Sequence, residues 1–160
     1  MLTYEEAREL LDPHITMPYR GHTWEDLRLE QDDRWHEAVI RQLRVALGDS
    51  VVVAAHGAVR DGDSRESWLG EIFVLTESAF IVLRFTAERQ SHSGWALVPE
   101  VQTYLYPRST IKRVDILGVS ERDELEARIL IAGDGWQVSL PTEERRRSVA
   151  VAHMASQLVS

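Results

Sequence analysis

The segment Gly70–Phe85, GEIFVLTESAFIVLRF, constrains this chain more than any other. Two short apolar runs flank Thr76-Glu77-Ser78, so the segment predicts a β-hairpin with a polar turn. Strand side chains alternate between faces. Phe73 and Leu75 then share one face and Ile72 and Val74 the other. Ile81, Leu83 and Phe85 share a face opposed by Phe80 and Val82. Burying one large aliphatic side chain contributes roughly 1.5–3 kcal/mol, so a ribbon apolar on both sides needs cover on both sides. Later strands differ. Leu125, Ala127, Ile129 and Ile131 oppose Glu126 and Arg128, and Trp136, Val138 and Leu140 oppose Gln137 and Ser139.

One face of the hairpin suits the interior of a β-domain. The other, read here as Ile72, Val74, Phe80 and Val82, is expected under a helix over about 32–47. That helix repeats Trp35, Val39, Leu43 and Leu47 every four residues, widened by Ala38 and Ala46. Asp32 or Asp33 caps its start and Gly48 ends it. A partner chain is the rival cover. A shorter helix is predicted over Thr3–Leu11, where Thr3 and Glu6 have capping-box spacing and Pro13 follows. Residues 13–24 read as loop. Residues 1–50 thus read as a helical extension packed on the barrel, and 51–160 as the β-domain with its last helix.

Seven strands are expected, at about 51–60, 67–77, 79–87, 100–107, 110–117, 125–132 and 135–140. Turn residues at 61–64, 76–78 and 133–135 join neighbours. A helix follows Pro141, capped by Thr142, with Glu143 and Glu144 in its first turn. The fold class is α+β: a seven-stranded antiparallel barrel or orthogonal sandwich capped by a C-terminal helix.

Seven strands and one helix is the element order of the pleckstrin-homology (PH) superfold, and the local phrasing resembles bacterial PH-like domains over about 51–159. "EIFVLTESAFIVLRF" is similar to their early hairpin, "YPRSTIKRVDIL" to their fifth strand, and "ARILIAGDGWQVSLP" to their last hairpin. "TEERRRSVAVAHMASQLV" is similar to the helix that closes one end. The resemblance implies a fold shared by lipid-, peptide- and protein-binding modules. Residues 1–50 lie outside its pattern, and 88–100 is longer than a minimal connection.

Composition narrows the function. The net charge of −8 is spread along the chain and repels phosphate backbones, which argues against nucleic-acid binding. Absence of cysteine removes disulfides, thiolate zinc sites and thiol nucleophiles. Apolar runs of about five residues fall far short of the roughly 20 that span a bilayer, and no signal-peptide pattern opens the sequence. The expected setting is cytoplasmic.

The candidate chemistries are weak by comparison. In "RDGDSRE", Asp61, Asp63 and Glu66 offset Arg60 and Arg65, leaving a loop poorly suited to a phosphorylated headgroup. Its Asp61/Asp63 pair lacks the remainder of a calcium loop. Six histidines show no H-x-x-x-H spacing. Ser91-His92-Ser93 reads as a polar loop, because catalytic partners converge in space and not by adjacency. No metal or cofactor site is expected. The remaining candidates are binding residues. Trp95, in a Gly/Ser-flanked loop, reads as a partly exposed aromatic. Arg145, Arg146 and Arg147 form the one basic run, suited to an acidic partner segment. The preferred reading is a non-enzymatic protein-interaction module using a strand edge and the 88–100 loop, with a protein partner or self-association. The alternatives are a ligand carrier or enzyme with a pocket between the N-terminal helices and the sheet, and a membrane-surface adaptor.

Overall fold

The computed structural model describes residues 1–11, 15–16, 35–62, 67–90, 94–97, 101–117, 128–140, 153–154 and 156–158. Helix α1 (Tyr4–Leu11) begins at the expected capping box. The Thr3 amide donates to Glu6 Oε2 at 2.7 Å, and the Glu6 amide donates to Thr3 Oγ1 at 3.2 Å. Each side chain thereby satisfies an amide that lacks a helical partner. Strand β1 (Ile15–Thr16) follows, a two-residue strand where a loop is expected from the sequence. It pairs in parallel with Gly57 and Ala58.

Helix α2 (Trp35–Leu47) ends at Gly48, whose φ of +56° lies in the left-handed region that glycine enters without a Cβ clash. The Gly48 amide still reaches the Arg44 carbonyl at 3.1 Å. Val39, Leu43 and Leu47 are buried as the periodicity predicts, and His36 and Ile40 join them. Ala38 is only half-buried, so the stripe widens toward Ile40, on the side opposite to the one read from the alanines.

The strands build two sheets. The first contains β1, β2 (Val52–Asp61), β3 (Ser67–Thr76), β4 (Ala79–Gln90), β5 (Gly94–Leu97) and β6 (Gln102–Pro107). All of its pairings except β1–β2 are antiparallel. Strands β5 and β6 both pair with β4, at residues 87–90 and 79–84 respectively, and so share one lane beside it. A 3₁₀ turn (Arg108–Thr110) leads to the second sheet, β7 (Ile111–Leu117), β8 (Arg128–Gly133) and β9 (Trp136–Leu140). The molecule is thus α+β, with mostly antiparallel sheets. Among the described residues no ladder joins the two sheets into a closed barrel.

The Thr76-Glu77-Ser78 turn is stabilised from within. Buried Thr76 Oγ1 accepts the Ala79 amide at 2.9 Å and the Ser78 amide at 3.3 Å, and donates to the Ala79 carbonyl at 3.1 Å. The register it sets pairs Ile72 with Leu83, Phe73 with Val82, Val74 with Ile81 and Leu75 with Phe80. Directly paired residues share a face.

That register corrects the grouping read from the sequence. Ile72, Val74, Ile81 and Leu83 pack beneath Ala7, Leu11, Val39, Ile40, Leu43 and Leu47 of the two helices. Phe73, Leu75, Phe80 and Val82 face the second sheet, where Ile129, Ile131, Val138, Leu140 and Met154 cover them. Phe80 and Val82 therefore belong to the inter-sheet layer and not under the helix. The alternation along each strand is correct. The relative phase of the two strands comes only from the turn register, which shifts every side chain if displaced by one residue.

Of the last helix, residues 153–154 and 156–158 are described, and all are helical. Met154 is fully buried in the inter-sheet layer. The Arg108 guanidinium donates to the Gln157 carbonyl, fastening this helix to the corner between the sheets. Residues 141–152, including the expected Thr142 cap, lie outside the described residues.

Candidate functional site

Strand β6 combines two features. Among the described residues nothing pairs with its outer edge, and it carries two exposed large apolar side chains, Tyr104 at 38% and Leu105 at 54%. Among the described residues, exposure on that scale is otherwise seen only at Met1, Val45 and Val51, none of which lies in a strand. Native proteins usually guard an open edge with charge, an internal proline or a bulge. Gln102–Pro107, QTYLYP, has no charged residue, and its proline is the last. Edge strand β7 contrasts with it, carrying Lys112, Arg113 and Asp115.

The hydrogen-bond phase of β6 follows from its end. The Arg108 amide donates to the Ser78 carbonyl at 2.8 Å, continuing the β4–β6 register. Antiparallel residues alternate between exchanging both main-chain bonds with the neighbour and turning them away. Residues 102, 104 and 106 therefore bond to β4. Thr103 and Leu105 present their N–H and C=O groups outward.

Aromatic rings pack along the strand's inner face. His56, Phe73, Phe80 and Tyr106 stack across β2, β3, β4 and β6 at centroid spacings of 6.3, 6.3 and 6.4 Å. Tyr106 then stacks on Trp136 of the second sheet at 4.1 Å, tying the edge lane to that layer. Tyr104 lies parallel to Tyr106, with the ring planes 5° apart. The Arg84 guanidinium sits 5.7 Å from the Tyr104 ring centroid, within cation–π range. The Tyr104 hydroxyl donates to Gln102 Oε1 at 3.0 Å.

Beside Gln102 lies a shallow cleft of about 240 Å³, bordered by Arg60, Leu69, Glu71 and Arg84. Glu71 Oε1 accepts from Arg84 Nε at 3.0 Å, which neutralises that arginine internally. Arg60 is exposed at the rim.

The sequence-predicted binding residues fare differently. Trp95 stands in β5 opposite Arg89, in a strand and not in a loop. The 88–100 segment is largely a hairpin, with β4 continuing to Gln90 and β5 returning along it. Its polar composition hid this, because an edge lane accepts polar side chains. The Trp95 side chain lies outside the described residues, as do Arg145, Arg146 and Arg147. Most of "RDGDSRE" and all of Ser91-His92-Ser93 lie there too. Among the described residues no three His, Cys, Asp or Glu side chains gather as a metal site, and no helix is long and apolar enough to cross a membrane. The β6 residues were not singled out in the sequence. The signal available was the uncharged run QTYLYP in a chain that is 28% charged. No family model, curated protein or solved structure matches the chain.

Proposed function

We propose that this chain is a non-enzymatic protein-interaction module of PH-like architecture that accepts an extended strand on β6. The observation that carries the reading is the uncharged, outward-bonding edge at Thr103–Leu105, with Tyr104 and Leu105 exposed beside it. In strand addition the main chain supplies affinity and alternate side chains supply selectivity. The PH-like assignment draws support from the order of elements: the lanes β2, β3, β4 and β5/β6, with the two-residue β1 added beside β2, then three strands, then a C-terminal helical segment. A cytoplasmic setting fits the cysteine-free composition.

Among the described residues, the alternative of a pocket between the N-terminal helices and the sheet finds an open cleft of about 450 Å³ only at the margin of that layer, beside Leu2, Glu6, Leu10 and Val52. Leu11, Val39, Ile40, Leu43, Leu47, Ile72, Val74, Ile81 and Leu83 fill that interface and are each 1% exposed or less. The membrane-adaptor alternative is disfavoured by the charge of −8, which anionic lipid repels.

Panning short, unstructured peptides against the purified protein tests the proposal. Binders are expected whose affinity falls at least about tenfold in Leu105→Pro. That substitution removes an outward N–H and no β4–β6 bond. Binders indifferent to Leu105→Pro, or no binders together with a strictly monomeric protein, would overturn it.

A further inference from the structure

We infer that the strand accepted by β6 is the β6 of a second copy of this chain, antiparallel to it about a two-fold axis at Tyr104. This deepens the reading of β6 as an interaction edge and rests on it.

The length of the ladder is fixed at both ends. Pro107 offers no N–H, and the chain turns into the 3₁₀ segment at Arg108, so the strand ends there. Gln102 opens it at the other end. Between these limits the outward groups belong to Thr103 and Leu105, placed symmetrically about Tyr104. A two-fold axis at Tyr104 sets Thr103 of each copy opposite Leu105 of the other. The outward N–H and C=O groups of Thr103 and Leu105 in both strands then pair, in four hydrogen bonds, while the Pro107 carbonyl already accepts from Thr110 Oγ1 at 2.8 Å. Moving the register by two residues sets one of them opposite Pro107, which has no N–H, or opposite Val101, which lies outside β6. One self-pairing register therefore satisfies the whole edge.

Side-chain chemistry agrees. Two copies of an acidic protein repel one another, and like charges directly opposite across a ladder destabilise it. Here the strip of contact is free of charge, so identical strands meet without that opposition. The axis places the two Tyr104 rings in a non-hydrogen-bonded pair, where side chains approach most closely. Gln102 of each copy then faces Tyr106 of the other. Leu105, 54% exposed in the single chain, is covered beside Thr103. Closed two-fold pairing is also the commonest way for a chain to bury a self-complementary surface.

The chain has no cysteine, so a single introduced thiol reports the axis directly. The axial pair brings Cα atoms to about 4.5 Å, within disulfide span. The 160-residue chain is expected to sediment at twice 18.3 kDa. Under mild oxidation Tyr104→Cys is expected to cross-link to a covalent dimer. Gln102→Cys and Tyr106→Cys are each expected to stay uncross-linked alone and to join when mixed. Leu105→Pro removes two of the four donors and is expected to weaken self-association about thirtyfold. A dimer that cross-links through Gln102→Cys or Tyr106→Cys alone, or that is indifferent to Leu105→Pro, overturns the inference. So does a wild-type monomer. If that monomer still binds peptides in a manner abolished by Leu105→Pro, self-pairing falls and the interaction edge stands. If it binds none, both fall.

Discussion

Leu43→Ala probes the layer between the helices and the hairpin. Leu43 is fully buried on α2, among side chains of β3 and β4. The substitution removes three carbons, about 2.4 kcal/mol at roughly 0.8 kcal/mol per buried methylene. The cavity left behind adds to this, since packed neighbours relax only in part, and measured Leu→Ala losses run about 2–5 kcal/mol. A loss of about 3–4 kcal/mol is expected here, because both helices and the sheet enclose the site. Alanine's better helix propensity returns less than about 0.5 kcal/mol. Val45, two residues on, is 73% exposed, and Val45→Ala is expected to change stability by no more than about 0.5 kcal/mol. Urea unfolding followed by circular dichroism and tryptophan fluorescence measures both, with unchanged m-values confirming a common unfolded state. A loss below about 1 kcal/mol for Leu43→Ala, or equal losses at the two positions, would refute the claim that α2 is an integral cover.

Thr76→Val keeps the shape of the turn residue but leaves the partly buried Ala79 amide without its acceptor, so a loss of about 1–2 kcal/mol is expected by the same assay. Gly70→Ala places a methyl group within 2.4 Å of three Phe85 ring atoms, directly across the β3–β4 ladder. A loss of about 1–3 kcal/mol is expected, and Phe85→Leu in the same chain should recover part of it in a double-mutant cycle. Glu6 is held below the ordinary carboxylate range chiefly by the Thr3 amide and secondly by the Thr3 hydroxyl. Its contribution is therefore complete above the unfolded value near 4.5 and fades as pH falls through the lower folded value. The stability gap between wild type and Glu6→Ala should accordingly narrow below that pH in thermal melts.

The features legible in the sequence were those that local chemistry dictates. Thr3 and Glu6 announced a capping box, and the structure shows both of its bonds. Gly48 announced the end of α2. The two-sided hairpin announced two layers of cover, and both are present. What escaped was relative placement. Whether Phe80 shares a face with Phe73 or with Ile72 depends on a register set by three hydrogen bonds at Thr76. Alternation along one strand carries no information about its phase against the next. Strand β5 escaped because its hairpin with the end of β4 lies in polar sequence. The β6 edge escaped because no single residue in it is unusual. Its character lies in the absence of charge and in which amides turn outward, and the second property exists only once β4 is paired. Trp95, by contrast, drew attention as an isolated aromatic, a property of composition that says little about position.

The two-layer arrangement can be read directly from distances between methyl and ring protons. Nuclear Overhauser contacts in selectively labelled protein are expected to join Val39, Leu43 and Leu47 to Ile72, Val74, Ile81 and Leu83. A separate set is expected to join Phe73, Leu75, Phe80 and Val82 to Ile129, Ile131, Val138 and Leu140. Contacts from Leu43 to Phe80 or Val82, or a hairpin face with no contacts beyond its own strands, would contradict the account.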